Sequence, residues 1–167
     1  MSIFPTKILL ATDGSEEAIL AAHIAADLAN KTDSELHIVH ANPRIAPHRP
    51  GYYVGPEVIE GAAEKERKLL DREAHRLLEA QVEQVRTAGG PTAQTHLRIG
   101  RVDEEIVATA EELGAGLIVV GSRGQGGMRR ALMGSVSDSV VRHAHCPVMV
   151  VRLEKERTVE REGDFLT

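Results

Sequence analysis

Short apolar runs alternate along the chain with longer segments in which apolar residues recur at helical spacing. The first run, KILLAT at residues 7–12, is followed directly by Asp13-Gly14-Ser15. An apolar run of this length that ends in turn residues is typical of a strand buried on both faces. Such runs predict five strands, at residues 7–12, 35–41, 95–99, 117–121 and 147–152.

The segments between the strands predict four helices, at residues 15–30, at 57–88, between Gly100 and Gly114, and at 135–143. Glu16 and Glu17 stand in the first turn of the first helix, where negative charge favours the helix dipole. Apolar residues mark the predicted inward faces. They are Ile19, Ala22, Ala26 and Ala29 in the first helix, Leu70, Ala74, Leu77, Leu78, Val82 and Val85 in the second, and Ile106, Val107, Ala110 and Leu113 in the third.

The alternation of strands and helices indicates the fold class. Successive βαβ units with right-handed crossovers build a mostly parallel sheet with helices on both faces. The sequence therefore predicts an α/β fold, a single-domain doubly wound sheet of five strands over residues 1–153. A proline- and glycine-rich loop follows the second strand at residues 42–56, and residues 154–167 form a charged, flexible tail.

Composition narrows the classes of partner. The formal net charge is -5, which gives no general attraction to nucleic acid or to anionic membranes. Aromatic residues are only 2% of the chain and Trp is absent, so platforms for base stacking are not expected. We expect no nucleic-acid partner and no membrane contact.

The compartment is predicted from cysteine usage and from the first residues. The single cysteine, Cys146, excludes an internal disulfide and fits a reducing compartment. No apolar run approaches the length of about 20 residues that spans a bilayer. The opening MSIFPTKILLATDGS lacks the features of a signal peptide. A cytoplasmic location is the expectation.

A glycine-rich, basic loop, residues 121–134, follows the fourth predicted strand and leads into a helix that starts at Ser135. Main-chain N–H groups of such a loop, together with the positive end of the helix dipole, form a site for an anion. The turn at residues 11–14 also follows a strand, and both loops would border one crevice if the first and fourth strands are neighbours. The alternative is a mobile turn, with Ser135 serving only as an N-cap.

Two common phosphate motifs do not fit this loop. A Walker A loop requires Lys and Ser or Thr after its last glycine, and no lysine is present. The dinucleotide fingerprint follows the first strand of its fold, whereas this loop follows the fourth, and Arg129 takes the place of its third glycine.

One family signature does fit. Gly121-Ser122-Arg123-Gly124, nine further residues and then Gly134-Ser135 resemble the G-x2-G-x9-G-S/T pattern of the nucleotide-binding universal stress proteins. The segments KILLATDGS, HIVHA, IGRVDEEIVATAEELGAGLIVVGSRG and HCPVMVV extend the resemblance over nearly the whole chain. It implies a parallel sheet of order 3-2-1-4-5, like that of the adenine nucleotide alpha hydrolases, and this order makes the first and fourth strands neighbours.

The resemblance also implies the ligand contacts. Ala11 and Asp13 would lie against the ribose and adenine, Ala41 would contact the adenine through its backbone, and the loop and helix start would carry the phosphates. Arg123 and Arg129 either add positive charge or are solvated, and Ala41 is smaller than the family's usual valine. The full set is Ala11, Thr12, Asp13, Ala41, Gly121, Ser122, Arg123, Gly124, Gln125, Gly126, Gly127, Gly134, Ser135, Val136 and Ser137.

The implied function is that of an ATP-binding, nucleotide-dependent regulator in the stress response, with Mg²⁺ held through the phosphates. AMP, ADP and cyclic AMP are alternative ligands. No catalytic residue is assigned, because Asp13 is more simply explained by a ribose hydroxyl and the tight turn than by catalysis. A slow ATPase or autophosphorylating enzyme, and an interaction module that does not depend on nucleotide, remain alternatives.

Other polar residues receive structural roles. His37 and His40 fall on opposite faces of their strand and do not form a pair. His143, His145 and Cys146 are not assigned as metal ligands, and Cys146 is expected to be buried. The apolar strand at Pro147–Arg152 would be a sheet edge. The family resemblance implies a homodimer through that edge, and an unidentified regulatory protein is a further candidate partner.

Overall fold

A computed structural model describes residues 2–44, 56–124 and 133–153. Each predicted element is present, and no end differs from its predicted position by more than two residues. In chain order the elements are β1 (Lys7–Ala11), α1 (Glu16–Thr32), β2 (Glu35–Asn42), α2 (Pro56–Thr87), β3 (Gln94–Ile99), α3 (Val102–Leu113), β4 (Leu117–Gly121), α4 (Ser135–His143) and β5 (Val148–Val151).

The five strands form one parallel sheet of order β3-β2-β1-β4-β5. The predicted order is therefore confirmed. β1 lies beside β4, with Ala11 opposite Val120. Because the strands are parallel, the segments that leave these two strands emerge at the same edge of the sheet, in the middle of its width.

Alternate residues of the strands feed two separate cores. Ile8 and Leu10 face α1 and α2, whereas Leu9 and Ala11 face α3 and α4. Helices therefore cover both faces of the sheet, which explains why the central strands are almost entirely apolar.

The inward face of α1 is wider than the predicted stripe. Ile19 is only half-buried, and the buried apolar positions are all alanine: Ala18, Ala21, Ala22, Ala25, Ala26 and Ala29. These small side chains fill little space, so the helix axis can lie close to the sheet. Ala22, Ala26 and Ala29 of the predicted stripe are confirmed as buried, whereas Ile19 was wrong because an alanine-rich helix offers no large residue to mark its inward side.

The predicted faces of the later helices are confirmed at their centres. Ala74, Leu78 and Val85 of α2 are buried, as are Ile106 and Ala110 of α3. Leu77, Val82, Val107 and Leu113 are half-buried at the margins. None of the described helices combines the length and the apolar composition that crossing a bilayer requires.

Candidate functional site

A cavity of about 620 Å³ opens where β1, β2 and β4 end, and the start of α4 closes one side of it. Of the residues predicted to contact a ligand, those that the structure describes all line this cavity: Ala11, Thr12, Asp13, Ala41, Gly121, Ser122, Arg123, Gly124, Gly134, Ser135, Val136 and Ser137. Gln125, Gly126, Gly127 and Arg129 lie outside the described residues. The sequence pattern thus brings residues from three strand ends to one concave surface.

The turn after β1 is closed by bonds between neighbours in sequence. The Oδ1 atom of Asp13 accepts a hydrogen bond from the N–H of Ser15 at 2.9 Å, and the N–H of Gly14 donates to Thr12 Oγ1 at 3.2 Å. Gly14 has φ of 76°, which favours glycine. Ser15 then caps α1 by accepting from the N–H of Ala18. The bonds that close the turn therefore lie within the sequence TDGS itself.

A long-range bond supports the same turn from α2. Thr12 Oγ1 donates to Oε1 of Gln81 at 2.9 Å, and Nε2 of Gln81 donates to the carbonyl of Ala18 at 2.9 Å. Gln81 is only 2% exposed. A buried amide whose two ends are both hydrogen-bonded joins α2 to β1 and α1. Sequence reasoning missed Gln81, although it lies three residues after Leu78 and four before Val85, at the spacing of the buried face of α2.

The segment that leaves β4 is pinned at both of its ends. The carbonyl of Ser122 accepts from the N–H of Gly134 at 2.6 Å and from Ser137 Oγ at 2.9 Å. The N–H of Ser122 donates to the carbonyl of Val151 in the neighbouring strand. The two halves of the predicted signature, residues 121–124 and Gly134-Ser135, are therefore joined directly.

Gly124 brings this segment against the β1 turn. A Cβ atom at this position would lie well inside van der Waals distance of Asp13 Oδ2. The sequence analysis explained this glycine by the approach of a phosphate, and the structure adds a second reason. A side chain at residue 124 would displace the Asp13 carboxylate.

The start of α4 faces the cavity without a side-chain cap. Gly134, and not Ser135, occupies the N-cap position, so the alternative role of Ser135 as an N-cap is wrong. Ser135, Val136 and Ser137 form the first turn, whose N–H groups have no partner within a helix. The hydroxyl of Ser137 donates to main-chain carbonyls of Ser122 and Gly134. The Ser137 hydroxyl is therefore committed to the protein, and the main-chain donors of the first turn face the cavity.

His40 is a lining residue that the sequence analysis did not assign to the site. Its Nδ1 lies 2.8 Å from the carbonyl of Thr12, and its Nε2 lies 2.9 Å from Oδ1 of Asn42. Both partner atoms are oxygens, so His40 bridges the carbonyl of Thr12 and the side chain of Asn42. His37 contacts instead Nε2 of His96 at 3.0 Å, so the two strand histidines do not pair with each other, as predicted.

Glu17, which contacts the lining residues Ser122 and Arg123, was also missed by the sequence analysis. It is 9% exposed, and its carboxylate accepts hydrogen bonds from Ser122 and Arg123 at the exit of β4. The sequence analysis gave it only a helix-dipole role. The signal was its spacing, because Glu17 lies four residues before Ala21 and eight before Ala25, on the buried face of α1.

The position of α4 is also fixed from α3. Ser139 Oγ donates to Oδ2 of Asp103 at 2.7 Å, and Arg101 contacts the same oxygen at 3.0 Å. The Ser139 hydroxyl, followed by Arg101, holds the pKa of Asp103 below its usual range. The carboxylate therefore stays ionised at neutral pH and ties the two helices together.

The polar residues near the end of α4 have separate partners. Nδ1 of His143 lies 2.8 Å from the carbonyl of Ser139, whereas His145 pairs with Glu111 at 2.9 Å. Cys146 is half-buried, and burial raises the pKa of its thiol. The expectation of a buried cysteine was thus only partly correct.

Comparison with known proteins decides the family. The model of the universal stress protein family matches residues 5–152. The chain is also 35% identical over 150 residues to universal stress protein MJ0531 of Methanocaldococcus jannaschii, a match that covers 90% of this chain and 84% of that protein. The chain belongs to the universal stress protein family.

Solved structures agree with this family assignment. Universal stress protein UspA from Lactobacillus plantarum superposes with a TM-score of 0.75 at 25% identity, covering 88% of this chain and 97% of that one. The universal stress protein from Archaeoglobus fulgidus in complex with dAMP superposes with a TM-score of 0.55 at 25% identity, covering 90% of this chain and 99% of the other. The parallel sheet with flanking helices is therefore the fold of the family.

Proposed function

We propose that this universal stress protein binds ATP in the cavity at the ends of β1, β2 and β4, and that it acts as a nucleotide-dependent regulator in the stress response. The observation that carries the proposal is that three predicted parts of the site are in direct contact: the Asp13 turn, the exit of β4 and the start of α4. The Asp13 turn touches Gly124, and Ser122 bonds to Gly134 at the start of α4. A polar ligand that spanned the cavity would meet all three.

The size and lining of the cavity suit an adenine nucleotide. Its volume of about 620 Å³ lies in the usual range of about 300–1,000 Å³ for ligand pockets. Val39, Ala41, Val102 and Ile106 supply apolar surface for a base. The first turn of α4 lies elsewhere on the wall and offers main-chain donors with a positive dipole.

The positions of the charged side chains in the cavity favour one orientation of the bound nucleotide. Among the described lining residues, Asp13 is the one Asp or Glu side chain and Arg123 is the one Lys or Arg side chain. A carboxylate accepts from ribose hydroxyls but repels phosphate, so we place the ribose near Asp13 and the phosphates toward Arg123 and α4. The dAMP complex of the Archaeoglobus fulgidus relative supports an adenine ligand. ADP, AMP and cyclic AMP are the competing ligands.

Binding without efficient catalysis is the second part of the proposal. Asp13 Oδ1 accepts from the Ser15 amide, and both oxygens of Glu17 accept from other groups of the protein. Carboxylates committed to main-chain donors are poorly placed to activate a nucleophile. Mg²⁺ would be held through the phosphates and water, as is common for this ion.

Native mass spectrometry of freshly purified protein tests the binding step. We expect a retained adenine nucleotide, and ATP added to stripped protein should restore the same mass shift while GTP does not. Radiolabelled ATP then separates regulator from enzyme. Turnover that Asp13→Ala abolishes in a folded protein would favour the slow ATPase, whereas binding without turnover supports the regulator.

The edge of β5 supports a homodimer as the predicted assembly. Within the described part of the chain, β5 pairs with β4 alone, and its residue Met149 is 36% exposed. An uncovered apolar edge strand tends to pair with another copy of itself. We propose a two-fold dimer through residues 147–152. We also propose that the protein works in a reducing compartment such as the cytoplasm, and that a regulatory protein partner binds the dimer and senses the bound nucleotide.

Light scattering at micromolar concentration checks the dimer. Wild-type protein should have twice the chain mass, and Met149→Lys should have the mass of one chain because a charge on the strand opposes pairing. A matched Leu69→Lys change, at an exposed site on α2, should leave the dimer intact. A wild-type protein that is only monomeric would contradict this part of the proposal.

A further inference from the structure

A buried carboxylate lies under the exit of β4, at the second residue of α1. Oε2 of Glu17 accepts from the hydroxyl of Ser122 at 2.7 Å and from the N–H of Arg123 at 2.6 Å. Oε1 accepts from the N–H of Leu153, just after β5, at 3.3 Å. One side chain therefore bonds to three points that are more than 100 residues away along the chain.

Burial of this carboxylate has a cost that these bonds must offset. A charge removed from water is tolerated when hydrogen-bond donors satisfy it. Two of the three donors are main-chain N–H groups, which remain present whatever side chain stands at residue 123 or 153, proline excepted. Replacing Glu17 by a residue without acceptors would leave the Arg123 amide and the buried Ser122 hydroxyl without this partner.

The backbone around Glu17 is shaped to admit it. A Cβ atom at Gly121 would lie 3.1 Å from Glu17 Cβ, closer than side chains usually approach. Glycine at this position therefore allows the first turn of α1 to lie directly on the end of β4. This contact explains the first glycine of the signature by packing within the protein.

From Glu17 the bonds continue to the start of α4. Ser122 donates its hydroxyl to Glu17, and its carbonyl accepts from the Gly134 amide and from Ser137 Oγ. Hydrogen bonds therefore connect Glu17 in α1 to Ser122, and Ser122 to Gly134 at the start of α4, where the main-chain donors lie. This path does not pass through the Asp13 turn or through Ala41.

We propose that Glu17 is a positioning residue for the phosphate end of the cavity. It holds the exit of β4 beside the start of α4, so that the first turn of α4 faces a polyanion. Through Leu153 it also connects that loop to the end of β5. This inference rests on the proposed function and adds a link to it, because the same carboxylate bonds to the exit of β4 and to Leu153 at the end of the edge strand.

The inference predicts a selective defect. Glu17→Gln keeps the size of the side chain but turns one acceptor into an N–H₂ group that faces donors. ATP affinity should fall about tenfold, the equivalent of one lost bond to a charged group. Adenosine affinity should change less than about twofold, because the bonds of Glu17 do not reach the Asp13 turn.

Calorimetric titration with ATP and with adenosine measures the two affinities, and Glu16→Gln is the matched control. Glu16 is the exposed neighbour in the same helical turn, so its substitution removes the same charge from the same dipole. It should leave both affinities unchanged. Equal losses for ATP and adenosine in Glu17→Gln would indicate general loosening and would overturn the positioning role.

Amide hydrogen exchange gives a readout that does not need nucleotide. The amides of Arg123 and Leu153 should exchange faster in Glu17→Gln than in wild type, and ATP should slow the Leu153 amide of wild type. Unchanged exchange at both amides would overturn the inference whether or not ATP binds. If wild type binds no nucleotide while both amides lose protection, the proposed function fails, and with it the assignment of this contact to phosphate positioning.

A milder variant covers the case in which Glu17→Gln does not fold. Ser122→Ala removes one donor to Glu17 and keeps both main-chain bonds. We expect a loss in ATP affinity of about threefold, with adenosine affinity kept and with faster exchange at the Arg123 amide. Normal ATP affinity and normal exchange in this variant would count against the positioning role.

Discussion

The two segments that meet at the cavity are held in opposite ways. The turn after β1 is closed by Asp13, Gly14 and Ser15 through bonds between residues two or three apart. The exit of β4 is held by Glu17, which precedes Ser122 by 105 residues. The closing bonds of the first segment need only neighbouring residues, whereas the bonds of the second segment require the completed fold.

This difference separates what each segment contributes. A turn built from its own residues keeps its shape when distant contacts change, so it can serve as a fixed reference for a ligand. A loop held by a remote carboxylate responds to changes elsewhere, because its position depends on the contact between α1 and β4. In the proposed regulator, the phosphate end is therefore the part suited to transmitting a signal.

Gln81→Leu tests the independence of the β1 turn and has the largest expected effect on stability. The change keeps the volume of the side chain but leaves the buried Thr12 hydroxyl without its acceptor, so the free energy of unfolding should fall by about 2 kcal/mol. ATP affinity of the folded variant should stay near that of wild type, since the local bonds of the turn remain.

Urea unfolding and calorimetry make these two measurements, with Gln84→Leu as the control. Gln84 is a half-exposed residue of the same helix that contacts His23 at the surface. Its substitution should change stability by less than about 0.5 kcal/mol. A large loss of ATP affinity in Gln81→Leu, with stability kept, would contradict the description of the turn as locally determined.

Gly124→Ala acts where the two segments touch. The new methyl group would displace the Asp13 carboxylate and strain its bond to the Ser15 amide. We expect ATP affinity to fall about tenfold, in line with the usual cost of inserting one carbon into a packed contact. Calorimetry checks the affinity, and circular dichroism checks that the variant is folded.

Gly61→Ala is the matched control, because a Cβ atom at that position has no neighbour within 4 Å. It should bind ATP as wild type does. Equal affinities in the two variants would mean that the ligand does not depend on the contact between the β4 exit and the β1 turn.

Ser139→Ala gives the smallest expected effect and concerns the support of α4. A folded-state pKa of Asp103 below its ordinary 3.8 contributes stability that is present above pH 3.8 and is lost as the pH falls through the lowered pKa. Removing the Ser139 hydroxyl should raise that pKa toward 3.8 and reduce the stability gained from Asp103 at neutral pH.

An NMR titration of the Asp103 carboxyl between pH 2 and 6 measures this shift. Ser2→Ala, far from Asp103 in the chain and outside the helices, should leave the titration curve in place. A curve in Ser139→Ala that coincides with that of wild type would show that the Ser139 hydroxyl does not lower the pKa of Asp103.

The sequence predicted the parts of the molecule that depend on local pattern. Strands, helices and the Asp13 turn follow from apolar periodicity and turn chemistry. The sheet order and the set of lining residues came from the glycine spacing and the family resemblance. Gly134 replaced Ser135 as the N-cap because helix ends are set by backbone geometry, which single residues specify only weakly.

Residues whose partners are remote were missed. Glu17, His40 and Gln81 are each defined by a hydrogen bond to another element, and a pattern of polar residues does not reveal such a partner. Glu17 was the closest to being found, since a carboxylate on the same face as Ala21 and Ala25 breaks the apolar face of α1. An unmatched charge on a buried face is therefore a useful sign of a long-range contact.

Amide chemical shifts during parallel titrations with ATP and adenosine test the central claim most directly. Both ligands should shift the amides of Asp13 and Ala41. ATP alone should shift Gly124 and the first turn of α4, at Ser135–Ser137. Shifts confined to the edge of β5, or no difference between the two ligands at the first turn of α4, would contradict the claim that this helix end receives the phosphates.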